Sequence, residues 1–270
     1  MNKKPSDSSF SKDVARFYES TLVPLIFEDY ARDLAERVSA VNPGSVLEVA
    51  CGTGVVTREL AKLLPQTCSI LATDLNSAMV EHAQEIGTVR PVGWQAADVM
   101  DLPFAESSFD VVICQFSVMF FPDRIEAYRQ IARVLRPGGI FLFNVWNGIE
   151  ENEFAHVVTE SLRSLFPKDP PMFLARTPHG YFSPDLIATD LQKAGFEDFK
   201  ITQRDSVSSA LSPEVPAIAY CQGTPLRNEI LARDSSALEK ATEMATEALR
   251  SRFGQESIDG KISGAIVEAS

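Results

Sequence analysis

The stretch that most constrains this chain is Ser45-Val-Leu-Glu-Val-Ala-Cys-Gly-Thr-Gly-Val-Val-Thr-Arg-Glu-Leu60. Val46, Leu47 and Val49 form a short apolar, mostly β-branched run, the pattern of a buried strand. Cys51-Gly52-Thr53-Gly54 interrupts it, and apolar residues return at helical spacing from Val55 to Leu64. Strand, glycine turn and helix in that order make the first unit of an open α/β sheet, where ligands bind beyond the carboxyl ends of the strands. Gly52 and Gly54 carry no Cβ, so the backbone can turn tightly and a ligand can lie against it. Cys68-Ser-Ile-Leu-Ala-Thr73 reads as a second strand, ending in Asp74, 20 positions after Gly54. A carboxylate at that distance suits a ribose, because it accepts from both hydroxyls.

Two departures separate this turn from a dinucleotide-binding fingerprint. Thr57 stands where a third glycine would fall, and Glu48 lies inside the strand just before the turn. A carboxylate there repels a pyrophosphate and attracts an ammonium group. The pattern favours a nucleoside with an amino-acid tail over NAD, leaving an NAD(P)-dependent oxidoreductase on a similar sheet as the alternative.

Leu47-Glu-Val-Ala-Cys-Gly-Thr-Gly54 resembles motif I of the class I S-adenosylmethionine-dependent methyltransferases. Thr73-Asp74-Leu75-Asn76 is similar to their ribose-binding segment, Ala97-Asp98-Val99-Met100 to their adenine-contacting segment, and Arg133-Val-Leu-Arg-Pro-Gly-Gly139 to their turn before strand five. The resemblance spans about residues 45 to 146 and is strongest to the small-molecule subgroup of ubiquinone/menaquinone-biosynthesis type. It implies a Rossmann-like seven-stranded sheet with helices on both faces, S-adenosylmethionine as cofactor, and a small, partly apolar methyl acceptor. Carried over to this chain, the cofactor-binding residues are Tyr18, Glu48, Ala50, Gly52, Gly54, Asp74, Leu75, Met79, Asp98, Val99, Met100, Gln115 and Phe116.

Composition narrows the partners. A formal net charge of -12, with no Lys/Arg cluster, argues against a nucleic acid. No apolar run is long enough to span a membrane, and the polar start Met1-Asn-Lys-Lys-Pro-Ser-Asp lacks the core of a signal peptide. The four cysteines (Cys51, Cys68, Cys114 and Cys221) are scattered, which predicts no metal site and free, buried thiols in a reducing cytoplasm.

Along the 270 residues, read as one methyltransferase domain, positions 1–9 are expected to be mobile. Residues 11–40, with Val14, Phe17, Leu22, Leu25, Ile26, Tyr30, Leu34 and Val38 at mostly helical spacing and a break at Pro24, predict two helices covering the cofactor site. Phe17 and Tyr18 are candidates to cover the methionine end. Asn76 caps a helix over Ser77 to Ile86, Val92 to Ala96 is a third strand, and Phe109 to Cys114 a fourth. Pro122 is expected to start a helix through Leu135, Pro137-Gly-Gly139 a turn, and Ile140 to Trp146 the fifth strand. Phe116, Met119, Phe120 and Trp146 are candidates for an apolar wall facing the acceptor, with packing of the following helix as the other explanation.

Two stretches depart from the sheet rhythm. Residues 147–182 follow strand five, where similar enzymes carry a substrate lid; residues 212–253 separate a sixth strand, 196–206, from a seventh, 261–268. The second is expected to be one long charged helix after an initial apolar segment. Together they predict a helical lid, with Tyr220 and Gln222 brought to the acceptor and Gly223 as a pivot; the rival roles for 212–253 are covering the sheet edge or a homodimer contact.

Methyl transfer needs a general base only when the acceptor must lose a proton. His156, His179 and Tyr181 are the catalytic candidates, while His82 is expected at the surface. Gln115-Phe-Ser-Val follows strand four in place of an Asn-Pro-Pro-Tyr-like segment, which disfavours the exocyclic amines of nucleic-acid bases. A non-catalytic S-adenosylmethionine-binding protein is the remaining alternative.

Overall fold

A computed structural model describes residues 12–270. The mobile segment expected over 1–9 and the start of the N-terminal cover at Ser11 lie outside the described residues, as does the side chain of Val14. Helices α1 (Lys12–Leu22) and α2 (Glu28–Val41) are joined by a π-helical turn over Val23–Phe27. Pro24, expected to break the pattern, sits in the first turn of that segment, where a missing N–H is tolerated. The chain bends there without stopping.

In chain order follow β1 (Ser45–Val49), α3 (Val55–Leu63), β2 (Ser69–Asp74), α4 (Ser77–Ile86), β3 (Gly93–Ala96), β4 (Phe109–Gln115), α5 (Arg124–Val134) and β5 (Leu135–Trp146). Then come α6 (Glu153–Leu165), α7 (Phe173–Arg176), α8 (Pro184–Ala194), β6 (Phe199–Ala210), α9 (Glu214–Gly223), α10 (Leu226–Arg233), α11 (Leu238–Phe253) and β7 (Ile258–Ala269). The seven strands form one sheet in the order β3-β2-β1-β4-β5-β7-β6. β1 to β5 run parallel, and β7 is antiparallel to both β5 and β6. Strand side chains alternate between faces, yet every residue of β1 is buried, so the sheet is covered on both sides at its centre. The strand order reverses between β1 and β4, which opens a crevice at their carboxyl ends.

Four local expectations change. α5 begins at Arg124, because the Asp123 carboxylate caps it by accepting from Glu126 N at 3.1 Å; Pro122 lies just outside. Pro137-Gly-Gly139 is a bulged start of β5 instead of a plain turn: Leu135 pairs with Phe109, and the next pair is Ile140 with Val111. Residues 212–253 make three helices instead of one long one. Pro225 cannot continue α9 and sets the start of α10, and Asp234, accepting from Ser236 N at 2.8 Å, turns the chain before α11. β7 extends beyond its expected limits at both ends, while β6 is shifted, starting at Phe199 instead of Phe196 and running on to Ala210; the two pair without a register shift from Phe199–Ala269 to Ala210–Ile258.

Candidate active site

The crevice deepens into a cavity of about 480 Å³. Its first half is a cradle between β1 and β2. Ala50 and Gly52 have positive φ, +54° and +56°, so the chain curls away from the sheet immediately after Val49. Asp74 fixes the curl: its Oδ2 accepts from Gly52 N at 2.9 Å and its Oδ1 from Asn76 N at 2.8 Å. A Cβ built on Gly52 meets no protein atom within 4 Å, so that position opens to the cavity. Gly54 differs. A Cβ there would stand 2.9 Å from the Trp94 ring, so this glycine admits close packing of Trp94 and does not line the cavity.

Glu48 lies at the floor of the cradle, 1% exposed, with the Thr57 hydroxyl donating to its Oε2. Burial pushes the Glu48 carboxyl up to about 8, against the opposing pull of Thr57 and Arg58. Burial also raises Asp74, while the two backbone N–H groups it accepts from work in the other direction. Tyr18 closes the cradle from α1, its ring stacked on Phe27 with centroids 5.3 Å apart; burial and the nearby Asp74 charge hold its hydroxyl protonated. Leu75, Met79, Asp98 and Val99 complete the lining. Asp98 Oδ1 accepts from Met100 N at 2.9 Å, which shapes the loop and leaves Met100 outside the lining. Thr53 Oγ1 and Gln115 Oε1 are buried without a hydrogen-bond partner although both residues border the cavity. Buried polar atoms of this kind are normally satisfied by a partner; an open glycine turn, an acidic floor and these orphans fit a nucleoside with an amino-acid tail.

The second half begins at the tip of β4. Phe116 has φ +46°, an uncommon conformation for a bulky residue. Asn144 on β5 accepts from Phe116 N at 2.7 Å, and the Phe116 ring stacks on Trp146 with centroids 3.6 Å apart. Gly264 of β7, paired with Trp146, makes room for the stack: a Cβ there would lie 3.3 Å from the Phe116 ring. Phe27, Phe120, Phe173, Leu174 and Ile262 extend the apolar wall, whereas Met119 is buried outside the lining.

Both insertions reach this half. The first supplies Asn152, Phe173, Leu174, Pro178 and His179; the second supplies Tyr220, Gly223, Thr224 and Pro225. They are tied together by Glu229 of α10, which accepts from Met172 N at 2.9 Å and from Arg176 at 3.0 Å. Gln222 points elsewhere, donating to Thr242 at 3.2 Å. Gly223 packs under Phe17, whose ring would lie 2.6 Å from an added Cβ, so its lack of a side chain lets α1 and α9 meet closely. Phe17 accordingly does not reach the cavity.

The catalytic candidates separate. His179 lies on the cavity wall, its Nδ1 2.9 Å from the Asn147 carbonyl oxygen. Tyr181 lies outside, donating to Asp190 at 3.0 Å beneath the Arg124 guanidinium, and serves to anchor its loop on α8. His156 on α6 also lies outside the lining. His82, expected at the surface, is partly buried, 3.6 Å from Glu85. Phe27, Phe173, Leu174 and Ile262 had no sequence signal as site residues, because ordinary core apolar residues look the same until the topology assembles them. Among the described residues no cluster of three or more His, Cys, Asp or Glu side chains is placed to hold a metal ion.

An acidic nucleoside cradle at the β1–β2 tips, opening into an apolar chamber past β4, defines a class I S-adenosylmethionine-dependent methyltransferase. The chain belongs to this family: residues 47–143 match the family described as Methyltransferase domain. Escherichia coli ubiquinone/menaquinone biosynthesis C-methyltransferase UbiE is 30% identical over 173 residues, spanning 59% of this chain and 69% of that one. Penicillium expansum O-methyltransferase cnsE is 31% identical over 180 residues, spanning 63% of this chain and 58% of that one. In fold, the chain is similar to Haemonchus contortus phosphoethanolamine N-methyltransferase 2, solved with phosphomonomethylethanolamine and S-adenosylhomocysteine (TM-score 0.60, 15% identity, 97% of this chain and 58% of that one). It is also similar to the Bacillus subtilis YcgJ protein (TM-score 0.54, 18% identity, 88% and 97%).

Proposed function

We propose that this chain methylates a small, neutral, partly apolar acceptor. The supporting observation is the charge distribution along the cavity. Its carboxylates, Glu48, Asp74 and Asp98, all belong to the cradle, and among the described residues no Lys, Arg, Asp or Glu lines the chamber beyond β4. A phosphorylated or carboxylated acceptor would give up its hydration there without meeting a cationic side chain, a cost of several kcal/mol. UbiE, by its name, is a methyltransferase of ubiquinone and menaquinone biosynthesis; a neutral ring compound suits the same kind of chamber here.

When bound, S-adenosylmethionine supplies a methyl group on a sulfonium whose leaving group is a neutral thioether. Glu48 holds the amino-acid tail through its ammonium, Asp74 the ribose, and Leu75, Asp98 and Val99 the adenine. Phe116 and Trp146 orient the acceptor, so that positioning supplies much of the rate. The insertions, latched by Glu229, act as the lid that excludes water. That latch favours a lid over a dimer contact as the role of residues 212–253. We place the enzyme in the cytoplasm, in keeping with four free, buried cysteines; no helix of the described residues is long and apolar enough to cross a membrane.

The test is formation of S-adenosylhomocysteine, followed by mass spectrometry, across a panel of neutral phenols, quinols, indoles and amines. Acceptor-dependent formation is expected with a subset. A protein that binds S-adenosylmethionine yet turns over no member would contradict the proposal.

A further inference from the structure

His179 has one ring nitrogen committed and the other free. A carbonyl oxygen only accepts, so the 2.9 Å contact with Asn147 places the proton on Nδ1. Nε2 is left with its lone pair. No described residue hydrogen-bonds to Nε2, and it is not among the sealed, unpartnered polar atoms, so on a ring that lines the chamber it opens to the cavity. The backbone is pinned as well, His179 N donating to Leu174 O at 3.0 Å, and the ring lies beside Trp146 with centroids 6.0 Å apart. Burial lowers the imidazole to about 4, opposed by the Asn147 carbonyl and by Glu150, so the ring is neutral at pH 7. Two other polar groups near it, Asn152 and Tyr220, are poor proton acceptors. Asn152 spends its amide on Asn147, Gly148 and Ser263, and burial holds the Tyr220 hydroxyl protonated.

We infer that Nε2 of His179 accepts the proton of a hydroxyl carried on a flat, conjugated ring, which makes the methylated atom a phenolic or enolic oxygen. This rests on the S-adenosylmethionine-dependent reading above. The flat walls Phe116 and Trp146 suit a ring, and a weak imidazole base suits a hydroxyl acidified by conjugation, near 10 as in tyrosine, over an alcohol. In the step, the hydroxyl hydrogen passes to Nε2 and the oxygen's electron pair forms the new bond to the methyl carbon. The carbon–sulfur bond breaks with its pair left on sulfur. The positive charge moves from sulfur to the imidazolium, so the net charge of the chamber is unchanged. Asn147, already accepting from Nδ1, and Glu150 then stabilise the imidazolium.

Two measurements test this without requiring turnover. Nitrogen NMR of ¹⁵N-histidine-labelled protein, assigned among three histidines with His179→Gln, should show a neutral ring protonated on Nδ1; the Nε2-protonated tautomer would overturn the inference. Calorimetry on protein saturated with S-adenosylhomocysteine should show 2-naphthol binding about tenfold more tightly than 2-methoxynaphthalene, roughly one hydrogen bond's worth. That preference should vanish in His179→Phe and persist in His179→Gln, whose amide oxygen still accepts. Equal binding of the two probes to wild type, no binding of either, or an unchanged preference in His179→Phe each overturns it. With S-adenosylmethionine and 2-naphthol, His179→Gln should lower kcat by about 100-fold or more with KM within about threefold, because the amide cannot take the proton; an undiminished kcat or an inert wild type counts against it. Failure of S-adenosylhomocysteine to bind is the separate outcome that removes the cofactor reading itself and this inference with it.

Discussion

Thr57 donates its hydroxyl to Glu48 Oε2 across 2.5 Å, joining the first turn of α3 to the last residues of β1. The two departures from a dinucleotide fingerprint are thus one feature. The side chain that replaces the third glycine is the partner of the carboxyl that would repel a pyrophosphate.

That pair predicts proton release on cofactor binding. Burial holds Glu48 at about 8, so at pH 7 it is mostly protonated before ligand arrives. An ammonium group favours the carboxylate, so binding pulls the value down and expels a proton. Calorimetry at pH 7 in buffers of different ionisation heat should detect release of roughly half to one proton, absent in Glu48→Gln. The same shift gives a stability test of the unliganded protein. A carboxyl raised in the folded state stabilises it below the ordinary value of 4.5, and this is lost as pH climbs toward 8, by up to about 1.4 kcal/mol per unit. Glu48→Gln should flatten that slope.

The two glycines of the turn should separate binding from stability. An Ala at position 52 meets open space and suffers only backbone strain, about 1–2 kcal/mol, while intruding on the ligand. Gly52→Ala should lose affinity for S-adenosylhomocysteine by more than it loses stability. Gly54→Ala adds a clash with Trp94 to the same strain and should lower Tm further.

Asp74→Ala should do both. It removes the acceptor of Gly52 N and the ribose partner together, and S-adenosylmethionine affinity should fall by about 1–3 kcal/mol. Unchanged affinity in calorimetry would contradict the ribose assignment.

Glu229→Ala tests the lid. It deprives Met172 N and Arg176 of their buried acceptor and loosens the two insertions from each other. Cofactor binding should persist while turnover falls about tenfold or more, water having entered a site that must be dry. Retained turnover would show that the latch is not part of closure.

The parallel half of the sheet was legible because its strands and turns are local patterns: Val46 to Val49, the glycine turn and Asn76 as cap each depend on neighbours in sequence. The chamber was less so. Ile262 reaches it only because β7 inserts antiparallel between β5 and β6, a pairing with no local mark. Tyr181 and His179, two residues apart, look equivalent in sequence. Only the partners distinguish them, Asp190 and Tyr128 taking the first and the Asn147 carbonyl leaving the second half free. The helix break at Asp234 is visible as a residue type but outweighed by the amphipathic pattern around it, whereas Pro225 falls in the apolar segment ahead of the expected helix.

The most direct test of the central claim compares kcat/KM for a neutral aromatic acceptor with that for the same ring carrying a carboxylate. An uncharged chamber predicts a preference for the neutral compound of about 100-fold or more, matching an uncompensated desolvation of roughly 3 kcal/mol. Equal efficiency, or a preference for the anion, would contradict it.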